Sequence, residues 1–161
     1  MAATIVNLQR KLSLDTKPIA SFATSLFQTV DEAKDKTVAI AFISDRRMKE
    51  LNSFFRGKNS TTDVLSFPHE PDEFVQSAGF SPSDDENTRS EARTQNEIFL
   101  GDIVISAEQA ARQAEENGLT LENEIKQLIL HGLLHLCGYD HETDKGEMNT
   151  RELELRDKLG I

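Results

Sequence analysis

The chain has 161 residues and a mass of 18.0 kDa, enough to bury a core of its own, and a single domain spanning 1–161 is expected. Its net charge of −10, taken alone, argues against a nucleic-acid partner, though that average hides a local imbalance, and no apolar run approaches the roughly eighteen residues of a membrane span; neither DNA nor a membrane is expected as a partner. The start, MAATIVNLQRK, lacks a signal-peptide layout and the lone Cys137 cannot form an intramolecular disulfide, which together point to a cytoplasmic protein.

TIVNL reads as a first strand. Asp15 and Thr16 are N-cap candidates for a helix in which Ile19, Phe22, Ala23, Leu26 and Val30 recur at helical spacing, with Pro18 in its first turn. TVAIAFIS (37–44) is a short β-branched run of the kind found in buried strands. Ser44 or Asp45 can cap a second helix with Met48, Leu51 and Phe55 on its inner face and Gly57 at its end. DVLSFP (63–68) is a further strand, stopped by Pro68.

Between about 70 and 96 the text turns polar and acidic, and it is read as an exposed, mobile insertion that buries too little apolar area to offset its ordering entropy. Residues 70–97 hold eight acids against two arginines, so most of the chain's net negative charge is local. By contrast, DRRMKELNSFFRGK (45–58) carries Arg46, Arg47, Lys49, Arg56 and Lys58. Such a cluster is either a solvated helix face or a phosphate-facing edge. Most of the nine phenylalanines are expected in the core.

EIFLGDIVIS (97–106) reads as a strand, Ser106 caps an alanine-faced helix ending at Gly118, and Thr120 opens the apolar helix that runs into HGLLHLCGYDH. A last amphipathic helix spans about Asp144 to Leu159.

HGLLHLCGYDH (131–141) contains three of the four histidines. His131 and His135, four apart on a helix, share one face. Gly138 permits a left-handed turn, after which His141 can return to the same point. Three neutral imidazoles suit Zn²⁺ and leave a fourth position open to solvent, as in catalytic rather than structural zinc sites. Cys137 falls on the opposite side of the helix and is read as a core residue. Asp140 is either an acceptor for a ligand N–H or a turn residue. The spacing matches the H-E-x-x-H-x-x-G-x-x-H pattern of zinc proteases except that Gly132 stands where they keep their general base, which counts against peptide hydrolysis.

HGLLHLCGYDH, together with FRGKNSTTDVLSFP (55–68) and LGDIVIS (100–106), resembles the YbeY family of bacterial endoribonucleases and rRNA maturation factors, from about Thr37 to the C-terminus. The long acidic stretch departs from that pattern. The resemblance implies a compact α/β (α+β) fold, a small mixed sheet packed by helices, with the central helix carrying the histidine motif. It implies His131, His135 and His141 as metal ligands, with zinc as the metal and another divalent transition metal as the alternative. Arg56 matches the family's implicated basic residue, catalytic and substrate-binding, with Lys58 beside it as a second substrate contact. The implied activity is cleavage of single-stranded RNA in maturation of the small-subunit rRNA precursor and in quality control of the ribosome. A non-catalytic ribosome assembly factor is the main alternative, and a metalloprotease-like hydrolase the lesser one.

Overall fold

The computed structural model describes residues 3–69 and 98–161. The acidic insertion expected at about 70–96 lies outside the described residues.

Strand β1 (Ala3–Asn7) leads into helix α1 (Thr16–Thr29), whose N-cap Asp15 accepts a hydrogen bond from the Lys17 amide at 3.1 Å. Ile19, Phe22, Ala23, Leu26 and Phe27 form its buried stripe. A short 3-10 turn (Asp31–Ala33) precedes β2 (Lys36–Ile43). Helix α2 (Asp45–Arg56) is capped by Ser44, which accepts from the Arg47 amide, and ends at Gly57. Strands β3 (Val64–Pro68) and β4 (Ile98–Ser106) follow. Then come α3 (Ala107–Asn117), α4 (Leu121–Leu136) and α5 (Glu147–Leu159).

The four strands form one mixed sheet in the order β1-β2-β4-β3. β2 runs parallel to β1 and to β4, while β3 lies antiparallel on the edge. Parallel neighbours need crossover connections, and α1 supplies the one between β1 and β2. The register between β2 and β4 slips after Thr37, with Phe99 and Gly101 as successive partners and Leu100 as the extra residue. Gly101 is required there: a Cβ at this position would lie 2.2 Å from the Phe67 carbonyl oxygen on β3.

The main core lies between the sheet and helices α1, α4 and α5. Leu26, Ile40, Ile103, Ile129, Leu133 and Leu155 are fully buried in it. Each such side chain contributes about 1.5–3 kcal/mol on transfer from water, as an upper bound. α4 belongs at the centre because its apolar residues are spread widely around the helix: Ile125, Leu128, Ile129, Leu130, Leu133, Leu134 and Leu136 are all buried. A smaller cluster of Ile43, Met48, Leu65 and Val104 packs α2 on the opposite face.

Two expectations need correction. Phe55 does not belong to the inner face of α2; it is 54% exposed. β3 is the outer strand among the described residues, where the Phe55 ring meets Phe67 edge to face, and the buried position goes to Asn52, whose side-chain amide donates to the Ser60 carbonyl at 2.8 Å. The final helix starts at Glu147 rather than Asp144, because the Asp144 carboxylate lies before it and accepts from the amides of Gly146 and Met148, both at 2.9 Å.

Candidate metal centre

The end of α4 builds the site. Thr120 caps its start, accepting from the Asn123 amide, and sixteen residues later the helix stops at Leu136. The Tyr139 amide reaches back to the Leu134 carbonyl at 3.1 Å while Gly138 sits at φ 104°, a Schellman-type end that only glycine adopts without strain. Asp140 then folds the chain over. Its carboxylate accepts from the Glu142 amide at 3.0 Å and its carbonyl from the amides of Thr143 and Asp144. Asp140 is thus the turn residue that returns His141 to the helix.

Ring centroids of His131 and His135 are 4.8 Å apart, and those of His141 lie 5.5 and 5.0 Å from them. One ligand atom from each ring falls within 4.8 Å of the others. His131 and His135 are half-buried, while His141 is exposed and keeps the centre open to solvent.

The outer nitrogens of two rings are already engaged. His135 Nδ1 lies 3.1 Å from the Tyr139 carbonyl, which only accepts, so Nδ1 carries the proton and Nε2 the lone pair. His131 Nδ1 lies 3.0 Å from Glu152 Oε1 on α5. Burial works to raise the Glu152 carboxyl, but the hydrogen bond from His131 and the nearby Arg156 guanidinium, 3.6 Å away, outweigh it and hold it below the ordinary range. A carboxylate there fixes His131 in the same tautomer. The two Nε2 atoms face each other at 3.2 Å, and with both rings neutral each presents a lone pair to the other. Burial first, then the neighbouring imidazoles of His131 and His141, pushes His135 below the usual histidine range, so it stays neutral as a ligand must.

Two lone pairs aimed at one another repel unless a cation lies between them. In a tetrahedral zinc site with Zn–N bonds of about 2.0–2.1 Å, ligand nitrogens stand roughly 3.3–3.4 Å apart, close to the spacing seen here. The donor set fits the metal.

Glu152 was not singled out from the sequence. It lies twenty-one residues from His131, and the only signal was its place on a helix packed against α4. A carboxylate joins the surrounding elements as well. Glu32, just after α1, accepts from Tyr139 Oη at 2.8 Å and from Arg151 at 2.7 and 3.1 Å. Tyr139 supplies the carbonyl that holds His135, and Arg151 precedes the residue that holds His131. Glu32 therefore braces both anchors.

Gly132 points away from the histidines. A Cβ there would lie 2.9 Å from Ile103 Cγ2 and 3.1 Å from Ser66 Oγ, so α4 can approach β3 and β4 only because this residue has no side chain. Cys137 packs half-buried against the main core, and burial pushes its thiol up. A polar cavity of about 460 Å³ adjoins His131, lined by Asp63, Gln113, Glu124, Glu152 and Arg156 among others.

Arg56, the last residue of α2, has one guanidinium nitrogen 3.9 Å from the carboxylate of Glu142, the neighbour of His141. Both are exposed, so this pair is weak and readily exchanged. Lys58 lies in the exposed turn beyond Gly57, and its side chain forms no ion pair among the described residues.

Fold and site together define an α+β protein with a three-histidine centre fit for one metal ion. Residues 4–160 match the family model described as Endoribonuclease YbeY. The Endoribonuclease YbeY of Nautilia profundicola is 43% identical over 127 residues, 79% of this chain and 75% of that one. That of Thermodesulfovibrio yellowstonii is 33% identical over 170 residues, covering 97% and 94%. The solution structure of TM1509 from Thermotoga maritima superposes with a TM-score of 0.59 at 26% identity, covering 98% of this chain and 88% of that one. The chain belongs to the endoribonuclease YbeY family.

Proposed function

We propose that this protein is a zinc-dependent endoribonuclease that cuts single-stranded RNA, with the precursor of the small-subunit rRNA as substrate and the ribosome as partner, acting in the cytoplasm. The observation that carries the reading is the pair of opposed Nε2 atoms of His131 and His135 at 3.2 Å, with their Nδ1 atoms already committed to Glu152 and the Tyr139 carbonyl.

His131, His135 and His141 would hold the ion. Held by three neutral imidazoles, zinc would supply Lewis acidity and a source of nucleophile at neutral pH. The chain's own residues do the rest. Glu152 and the Tyr139 carbonyl keep the rings oriented, so the site pays little reorganisation when substrate arrives. Arg56 exchanges its loose contact with Glu142 for bidentate hydrogen bonds to a phosphate, offsetting charge that develops as the phosphodiester breaks. Lys58 adds a second cation for the RNA backbone.

Gly132 separates this reading from peptide hydrolysis. The protease base would have to occupy a position packed against Ile103 and Ser66. Elemental analysis paired with RNA cleavage, on the parent and on His135→Ala side by side, tests the proposal. About one zinc per chain and cleavage in the parent, both lost in a folded variant, are expected. Cleavage that survives in His135→Ala overturns the proposal, and binding of small-subunit precursors irrespective of the histidines would favour a non-catalytic assembly factor.

A further inference from the structure

Phe54 is 81% exposed and Phe55 54% exposed, at the end of a helix whose other outward residues are charged or polar. Single exposed apolar residues are ordinary on protein surfaces, and Leu8, Ile98 and Leu153 are further examples here. The phenylalanines differ from these in two ways. Their rings touch, edge to face with centroids 4.8 Å apart, and Phe55 is held in turn against Phe67 on β3 at 4.9 Å, so the pair is fixed from beneath while its outer surface faces water. They also stand among bases. Arg47, seven residues before Phe54, lies on the same helical face, and its side chain is 70% exposed with a long 3.6 Å contact to Glu50. Arg46 is equally loose, while Arg56 and Lys58 follow the rings directly.

We infer that Phe54 and Phe55 form a stacking platform for the bases of single-stranded RNA, next to the three-histidine centre; the inference rests on the ribonuclease reading above and gives that site its preference for unpaired strands. Charge complementarity selects the occupant. A surface joining exposed rings to four bases, three of them in long, solvent-exposed ion pairs that exchange readily, suits a polyanion that presents flat apolar faces, which describes single-stranded nucleic acid. A duplex hides its base faces inside its own stack and offers the rings nothing. The platform is continuous with the candidate centre: Arg56, next to Phe55, approaches Glu142, next to His141. A strand whose phosphate is held by Arg56 can lay a neighbouring base on the rings.

The test measures binding of the metal-loaded protein to a short single-stranded 2′-O-methyl RNA, its fully paired duplex, and a strand of the same length with abasic sites. Phe54→Ala and Phe55→Ala are expected to weaken binding of the single strand by on the order of 5- to 100-fold each, to leave the abasic strand and the duplex unchanged, and to keep the parent's salt dependence. Phe54→Trp gives a direct readout, because the chain has no tryptophan. Its emission should be quenched by the single strand and not by the abasic strand, with parental affinity retained. Unchanged thermal unfolding checks that the exposed substitutions leave the fold intact.

Parental affinity in both alanine variants, or an unquenched indole, overturns the platform alone, since RNA binding itself would persist. Failure of the parent to bind any strand overturns the ribonuclease reading and the platform together. Loss of self-association in the alanine variants, with RNA affinity unchanged, assigns the rings to a second copy of this chain and overturns the platform.

Discussion

Glu152 accepts a hydrogen bond from Nδ1 of His131 at 3.0 Å, joining the last helix to the histidine face of α4. The carboxylate fixes the ring's orientation and raises the basicity of its Nε2. Glu152→Ala should therefore lower zinc affinity about 10- to 100-fold while the protein remains folded, with Glu152→Gln, which still accepts the hydrogen bond, falling between. Competition titration with a zinc chelator measures this, and parental affinity in the alanine variant would count against an orienting role.

Arg56 should matter to cleavage and little to stability. Arg56→Ala is expected to slow cleavage on the order of 10²-fold, with unfolding free energy within about 0.5 kcal/mol of the parent, because its one ion pair among the described residues is an exposed 3.9 Å contact. Arg56→Lys retains the charge but not the bidentate fork, so partial recovery is expected. Rates across a salt series, beside denaturant unfolding, distinguish this from a folding defect.

Gly132→Ala should destabilise the fold by about 1–3 kcal/mol, because the added methyl meets Ile103 and Ser66 at 2.9 and 3.1 Å. Gly138→Ala should cost about 1–2 kcal/mol by a different route. No atom of the described residues lies within 4 Å of its Cβ position, so the cost comes from holding a side chain at φ 104°. Urea unfolding reads both. Only Gly138→Ala, at the turn that returns His141, is expected to weaken zinc binding more than its stability loss explains.

Glu32 gives the protein a defined acid sensitivity. The Arg151 guanidinium, helped by the Tyr139 hydroxyl, lowers its pKa from 4.5 to about 2. A depressed folded-state pKa contributes stability that is complete above the unfolded value and disappears as pH falls through the folded one. Glu32→Gln should thus be less stable than the parent by about 1–2 kcal/mol at neutral pH, with the gap closing between about pH 4.5 and 2. A gap constant across that interval would show that the carboxylate charge contributes nothing.

The elements and histidine centre were legible in the sequence because they rest on local chemistry. Ser44, Ser106 and Thr120 sit immediately before helices and accept the hydrogen bonds their positions predict. The i, i+4 spacing of His131 and His135 with Gly138 beyond them carries the bend that brings three rings together. Phe55 shows where that reasoning ends. Its helical position pointed inward, yet it is 54% exposed, its ring lying against Phe67 of β3, the outer strand among the described residues, and no sequence period reports which strand lies outermost.

Sequence alone determined the helices, their caps, the strand segments and the rings able to converge at one point, since each depends on residues within a few positions of one another. Only the tertiary structure decided that Glu152 holds His131, that Glu32 ties Tyr139 to Arg151 across more than a hundred residues, and that Gly132 is the contact point between α4 and the sheet. These partners meet because helices pack on a common sheet, and no local pattern encodes which side chains that packing brings face to face.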